Sequence, residues 1–271
     1  MKNFNINRFW QMLKWTVISE KKSIITAAVA YTVGFLAIQL FSCFTIFDLT
    51  HGLGSMATEA GMISCAVLLS FMFYYYASGI LGNAHTPQQR TTALMLPASN
   101  LEKYIARIVY CCLFMLALLY AAAIAATGLR MLLELIAGHD GITSGISVLF
   151  DGQMHINTND IHPFSVFIFS VWSASIFVLG GVFFSKRPFI WTNVTLIVGS
   201  ITLFTLIFYI GMMIGEENSR HILEPLVKVM TWEISSLIVN IVLTVFSVFN
   251  LWLGYWLYSR LQVVQHKWFN V

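Results

Sequence analysis

The stretch IITAAVAYTVGFLAIQLFSCFTIF at residues 24–47 contains no charged residue and exceeds the roughly 20 residues that an α-helix needs to cross a bilayer. Hydrophobic residues make up 58% of the 271 positions and charged residues 10%, whereas soluble domains are roughly 25% charged. The apolar stretches lack the alternation of outer-membrane β-barrel strands. The sequence therefore predicts an all-α integral membrane protein with six transmembrane helices, at about 24–47, 56–80, 104–128, 164–184, 189–214 and 234–257.

The residues before the first span form a separate pattern. Phe9, Trp10, Leu13 and Val17 recur at near-helical spacing, and polar residues lie between them. This pattern is typical of an amphipathic helix in the membrane interface. We therefore predict an interfacial helix in residues 1–22, either a generic anchor or a coupling element, followed by a single six-span domain in residues 23–271.

The distribution of basic residues predicts the orientation. Six spans place both termini on one side, and that side, with the loops between spans 2 and 3 and between spans 4 and 5, carries 12 of the 15 basic residues. Because Lys and Arg concentrate on the cytoplasmic side, we expect both termini in the cytoplasm. Only two acids, Glu20 and Glu102, fall on that side. The opposite side carries the basic residues Arg130, Arg220 and Lys228.

Several chemistries are absent from the pattern. The central portions of the predicted spans contain no ionisable residue, which argues against a membrane hydrolase and against an ion-coupled transporter. The outer loop at about 129–163 is rich in His and Asp, but its spacing matches no tetrahedral metal pattern, so a solvated loop is the better interpretation. No G-x-x-x-x-G-K-[ST] motif occurs. We expect no catalytic, cofactor or metal site and no nucleic-acid partner, and any ATP must be hydrolysed by another polypeptide.

The loop between spans 2 and 3 carries two helix starts. Ser99 and Glu102 form a capping box at the start of span 3, and Pro97 ends whatever helix precedes it. Thr86 followed by Pro87 repeats this logic, which predicts a short cytosolic helix at roughly 87–95. A well-capped turn would explain the caps alone. It would not explain a separate helix, since a few residues suffice to join adjacent spans.

These residues resemble a known family. LMLPASNLEKYIARIV at residues 94–109 is similar to the loop of six-span permeases of type-two ABC exporters, especially the bacterial branch related to bacteriocin- and antibiotic-resistance permeases, where a leucine-proline-x-serine segment and a nearby lysine precede span 3. The N-terminal helix, the six spans and the basic aromatic tail YSRLQVVQHKWFNV at 258–271 fit the same layout. The resemblance covers the whole chain in layout and about fifteen residues as a motif.

The resemblance implies a multi-pass permease subunit of the bacterial inner membrane that exports a lipid-like, peptide or drug-like substrate. A P-loop ATPase subunit would dock on its cytosolic helices, and a second permease subunit would complete the dimer, either as an identical or as a different chain. The implied ATPase contacts are Arg8, Gln11, Lys14, Gln88, Gln89, Arg90 and Lys103, and the implied elbow before span 3 is Thr86, Pro97, Ser99 and Glu102.

Two alternatives stay open. Gly211 and Gly215 form a small-x-x-x-small pair near the outer end of span 5, which predicts either a dimer interface or packing within one subunit. The chain as a whole has a second interpretation, a non-transporting scaffold or sensor subunit associated with an ATPase or a signalling kinase. A neighbouring gene for a P-loop ATPase would favour the permease.

Overall fold

A computed structural model describes residues 5–50, 54–81, 95, 98–136, 163–184, 186–214 and 232–260. These residues are almost entirely helical, and they contain no β-strand. A π-helical segment, Val109–Phe114, joins α4 to α5, so the third span is one continuous helix. The helices are α1 (Ile6–Ser19), α2 (Lys21–Thr50), α3 (Gly54–Ser78), α4 (Asn100–Ile108), α5 (Met115–Ile136), α6 (Pro163–Phe183), α7 (Pro188–Ile214) and α8 (Trp232–Ser259).

Six of these helices are long and apolar enough to cross a membrane, at the places where the sequence predicts spans, and this fits a multi-pass membrane protein. The largest difference from the prediction is in the third span, which extends beyond both predicted ends. The spans are Lys21–Ser42, Ala60–Ser78, Asn100–Leu133, Phe164–Phe183, Pro188–Ile210 and Ser236–Ser259.

The internal contacts of the chain divide it into two compact units. Unit 1 comprises Met1–Tyr76 and Pro97–Asp160, and unit 2 comprises Ala77–Leu96 and Ile161–Val271. Each unit is described by itself below. The single six-span domain predicted from the sequence stays a prediction.

In unit 1, α2 runs parallel to the third span and antiparallel to α3. Glu20 contacts Arg107, which lies 87 residues later, and Gln39 contacts Thr127, which lies 88 residues later. A nearly constant separation along two helices requires them to run in the same direction. By contrast, Gln39 contacts Met62 whereas the earlier Tyr31 contacts the later Tyr76, as antiparallel helices require.

Unit 1 has an apolar core between these three helices. Alanines on α5 allow α2 to approach closely, which is how helices pack where lipid supplies no hydrophobic driving force. Tyr31 and Tyr76 close one end of this core through a hydrogen bond of 2.8 Å between their hydroxyls. The buried residues of the core are Phe35, Met62, Cys65, Leu69, Leu119, Ala122, Ala123 and Ala126.

The third span carries a feature that the sequence did not predict. At Val109–Phe114 the helix has π geometry, which adds one residue to the turn. Tyr110 and Cys111 of this segment are buried, and Leu13 and Val17 of α1 pack against them. The π-helical segment therefore lies at the place where α1 packs against the third span.

In unit 2, α6 and α8 are parallel neighbours. The Asn240 side-chain amide donates to Ser165 Oγ at 2.9 Å, and that of Asn250 donates to Ser175 Oγ at 3.2 Å. The two residues of each pair are 75 positions apart. An identical separation at two places along the helices means that they run in the same direction.

Two adjacent glycines of α6 set the closest helix contacts in unit 2. A Cβ added at Gly181 would overlap the backbone carbonyl oxygen of Ser78, and one added at Gly180 would overlap the side chain of Thr192 on α7. Phe177 also stacks on Phe189, with ring centroids 5.7 Å apart. The contacts with α7, made by Gly180 and Phe177, involve only its first turns. The side chains at positions 194–210 of this helix are all exposed in the described structure.

Candidate functional site

A buried carboxylate on α4 holds the starts of two helices. Glu102 Oε2 accepts from the backbone N–H of Ser99 at 2.9 Å, and Ser99 Oγ accepts from the backbone N–H of Glu102 at 3.2 Å, which is the predicted capping box. Glu102 Oε1 accepts from the backbone N–H of Asn5 at 2.9 Å and forms an ion pair of 3.1 Å with Arg8 Nη2. One side chain therefore satisfies donors that begin both α1 and α4.

A second carboxylate holds the other end of α1. Glu20 follows the last residue of α1, and its Oε1 accepts from Arg107 Nη1 at 2.9 Å. Its Oε2 accepts from the Tyr110 hydroxyl at 2.6 Å. Both Glu20 and Arg107 have side chains less than one fifth exposed, so solvent screens this pair only partly.

Together these contacts form what we call the strap, because they attach α1 to the first turns of the third span at both ends. Glu102 has no exposed side-chain surface and carries bonds from two backbone donors and one guanidinium, which offset the desolvation of its charge. Each of the two acids on the predicted cytoplasmic side is therefore bonded within unit 1. The strap consists of Asn5, Arg8, Glu20, Ser99, Glu102, Arg107 and Tyr110.

The strap brings together several residues singled out from the sequence. Arg8, Ser99 and Glu102 lie in direct contact, while Lys103 is buried, with 5% of its surface exposed. Gln11 and Lys14 are exposed on α1. Their assignment to an ATPase contact stays a prediction, and the buried Lys103 offers little surface to another chain.

The remaining predicted residues lie elsewhere. Gly211 belongs to α7, and its packing falls outside what the structure describes. The short helix predicted at 87–95, apart from Met95, and the His/Asp-rich outer loop beyond position 136 lie outside the described residues. So do the predicted site residues Thr86, Gln88, Gln89, Arg90, Pro97 and Gly215.

A second polar cluster lies within the helices of unit 1 and includes Gln39, a neutral polar residue of the first predicted span. Gln39 Nε2 donates to Thr127 Oγ1 at 3.2 Å, and Thr127 Oγ1 donates to the carbonyl of Ala123 at 2.9 Å. Arg130, one turn further along α5, is completely buried. Arg130 is predicted from the sequence to lie in the outer loop, and this prediction is wrong because α5 continues to Ile136. The apolar residues that follow Gly128 were the available signal.

Buried polar residues at such positions commonly join helices, and the geometry of Gln39 and Thr127 fits that role. Arg130 adds a charge inside the bundle, where ionisable residues are rare and mark functional positions. In the part of the chain that the structure describes, no group of three or more His, Cys, Asp or Glu side chains could hold a metal ion. We take the strap as the main candidate site, because Ser99 follows the predicted cytosolic helix closely in the sequence.

Comparisons of the chain with protein-family models, with curated proteins and with solved structures found no match.

Proposed function

We propose that this chain is the transmembrane permease subunit of an ABC exporter and that a separate P-loop ATPase subunit energises it. The observation that carries the proposal is the strap. Glu102 bonds the backbone of Asn5 at the start of α1 and that of Ser99 at the start of the third span. α1, which the family resemblance assigns to ATPase contact, is therefore bonded to the same carboxylate as Ser99, the residue that follows the other assigned segment in the sequence.

Such a junction suits energy coupling because a docking surface must be rigidly joined to the spans that it moves. Residues 86–97 lead directly into Ser99, and Glu102 fixes Ser99 to α1. Glu20 then attaches the other end of α1 to the third span through Arg107 and Tyr110. Movement imposed by an ATPase on the segment before Ser99 would reach α1 and the third span together.

In the proposed transporter, the strap lies on the cytoplasmic side of a bacterial inner membrane, with both termini in the cytoplasm. Gln11 is exposed on α1 and so is available to the ATPase, whereas Arg8 acts through the strap. A second permease subunit completes the transporter, and the substrate is a lipid-like, peptide or drug-like molecule moved outward.

The test is site-specific photo-crosslinking in native membranes. A photoreactive amino acid at Gln11 should crosslink to a protein that contains a P-loop and hydrolyses ATP. The same group at Val33, which is 59% exposed on a predicted span, should crosslink only to lipid. Glu102→Gln should lower recovery of the ATPase at matched expression because it loosens α1.

Two outcomes would overturn the proposal. A kinase or another regulator captured at Gln11, with no ATPase, would favour the sensor interpretation. ATPase recovery that is equal for Gln11 and Val33 and insensitive to Glu102→Gln would show that the strap has no part in docking.

A further inference from the structure

One face of α1 is exposed and largely apolar. Ile6, Trp10, Lys14 and Ile18 recur every four residues, so they form one row along the helix. Ile6 is 71% exposed, Trp10 65% and Ile18 61%, while Lys14 lies between the last two. We call this row the ridge. The analogous row on α2 is Ile25, Val29 and Val33, each more than half exposed and part of a predicted span.

The ridge differs from the face that we expected to be apolar. Leu13 and Val17 do point toward protein, where they pack on Tyr110, Cys111 and Met115 of the third span. Trp10, which the sequence grouped with them, lies on the exposed ridge instead. The helix therefore has one apolar face covered by unit 1 and a second apolar row that unit 1 leaves uncovered.

The charge near the ridge is positive. In the described residues the ion pairs are Arg8 with Glu102 and Arg107 with Glu20, so both acids of this region are engaged inside the strap. Lys14, Lys21 and Lys22 are exposed, and no acid of the described chain pairs with them. Lys21 and Lys22 also begin α2, where the helix dipole opposes positive charge. An external anion would compensate all three lysines.

We propose that the ridge, together with Lys21 and Lys22, binds anionic phospholipids of the membrane leaflet in which α1 lies. Ile6, Trp10 and Ile18 enter the boundary between headgroups and acyl chains, where the amphipathic tryptophan ring is favoured. Lys14, Lys21 and Lys22 contact lipid phosphates. Charge complementarity and the continuity of the ridge with the exposed row on α2 identify a lipid surface as the partner. This inference holds whether or not an ATPase docks nearby.

The expected size of the effect follows from the lysines. Each basic residue next to an anionic membrane surface strengthens binding roughly fivefold, so removal of three should weaken the preference about a hundredfold at low salt. High salt should reduce the preference of the wild type, because exposed charges are screened.

The experiment is native mass spectrometry of the full-length chain in detergent micelles that contain equal amounts of phosphatidylglycerol and phosphatidylcholine. The measured quantity is the ratio of the two lipids bound. Wild type should be enriched in phosphatidylglycerol, and Lys14→Gln/Lys21→Gln/Lys22→Gln should lose most of that enrichment. Lys14→Gln alone should lower the enrichment in phosphatidylglycerol about fivefold.

The matched control removes positive charge from the same predicted side of the membrane but away from α1. Lys186→Gln/Arg187→Asn serves, because both residues are exposed and asparagine tolerates the positive φ of 48° at position 187. This variant should keep the enrichment. Trp10→Ala should weaken binding of both lipids and leave their ratio nearly unchanged.

Two results would overturn the proposal: an unchanged lipid ratio in the triple variant, or an equal loss in the triple variant and the control. If the lipid ratio is unchanged, lower ATPase recovery from membranes that contain the triple variant would identify the ridge as a protein contact. Failure of the lipid test with normal ATPase recovery would leave the proposed permease function intact.

Discussion

The helices within unit 1 are held together by different chemistry from the helices within unit 2. Unit 1 joins its helices through charged and polar side chains: Glu102 with Arg8, Glu20 with Arg107, and Gln39 with Thr127. In the described residues of unit 2 no ion pair occurs, and the closest contacts are made by glycine backbone at positions 180 and 181. Neutral Asn–Ser hydrogen bonds supplement them.

The two units should therefore tolerate different substitutions. Where side chains with directional bonds hold helices together, an isosteric change that removes charge is damaging, whereas added volume at the surface is not. Where bare backbone surfaces meet, a single methyl group is damaging, because a packed interior cannot yield around a carbonyl. Unit 1 should therefore be sensitive to charge and unit 2 to volume.

The largest effect is expected in unit 2. Gly181→Ala should lower the free energy of unfolding by about 3 kcal/mol, because the new methyl group overlaps the carbonyl of Ser78, which cannot rotate away. Gly180→Ala should have a smaller effect, since its neighbour is the side chain of Thr192. Titration with sodium dodecyl sulfate in mixed micelles, followed by circular dichroism, measures both.

The control is Gly199→Ala on α7, where nothing lies within 4 Å of the added Cβ. It should change the free energy of unfolding by less than about 1 kcal/mol, with alanine favoured by its higher helix propensity. Equal destabilisation at positions 181 and 199 would contradict the view that close backbone packing holds unit 2 together.

The next effect tests unit 1. Glu102→Gln keeps the shape of the side chain but removes the charge that binds Arg8, and its amide can accept at only one of its two ends. We expect the free energy of unfolding to fall by about 2 kcal/mol, measured in the same titration. Arg8→Gln should lower it less, because this arginine side chain is 31% exposed.

A double-mutant cycle sharpens this test. If Arg8 and Glu102 interact directly, the double variant should be less destabilised than the two single changes added together. Lys14→Gln on the exposed side of the same helix is the control and should change stability by no more than about 0.5 kcal/mol. Additive effects of the Arg8 and Glu102 substitutions would mean that the ion pair contributes nothing to unit 1.

The smallest effect concerns the polar contacts of unit 2. Asn240→Leu removes the hydrogen bond to Ser165 and should cost about 0.6 kcal/mol, the average for such bonds within membranes. Ser165→Ala should cost a similar amount and add nothing to Asn240→Leu. Thr244→Val should be neutral, because its hydroxyl bonds only to its own helix at Asn240. If Asn240→Leu lowered the free energy of unfolding by about 2 kcal/mol or more, polar hydrogen bonds rather than glycine packing would be the main stabilising contacts of unit 2.

The sequence predicted the features that depend on local pattern. Apolar length was sufficient for the six spans, and the spacing of Ser99 and Glu102 was sufficient for the capping box. The sequence could not predict that Glu102 also binds Asn5 and Arg8. Asn5, for example, lies 97 positions before Glu102, and no local pattern reports such a contact. Nor could the sequence distinguish Gly181, which meets a carbonyl, from Gly199, which meets nothing.

Arg130 shows a different limit. Arg130 falls in the outer loop predicted at about 129–163, yet α5 continues to Ile136 and this side chain is completely buried. Hydropathy averages over a window, so it gives little information on where a helix ends when a single charge interrupts an apolar run. The burial of that charge is decided by neighbouring helices, which no local pattern encodes.

In mechanical terms, the strap makes α1 a strut, that is, a helix fixed to the third span at both of its ends. Ser99 and Asn5 are fixed to the same carboxylate, so a force applied to the chain just before Ser99 is delivered to the first turn of α1 as well as to the third span. At its far end α1 passes part of that load through Glu20 to Arg107 and Tyr110, two turns further along the third span. The base of α2 begins one residue after Glu20, so a single pull moves the bases of two spans together.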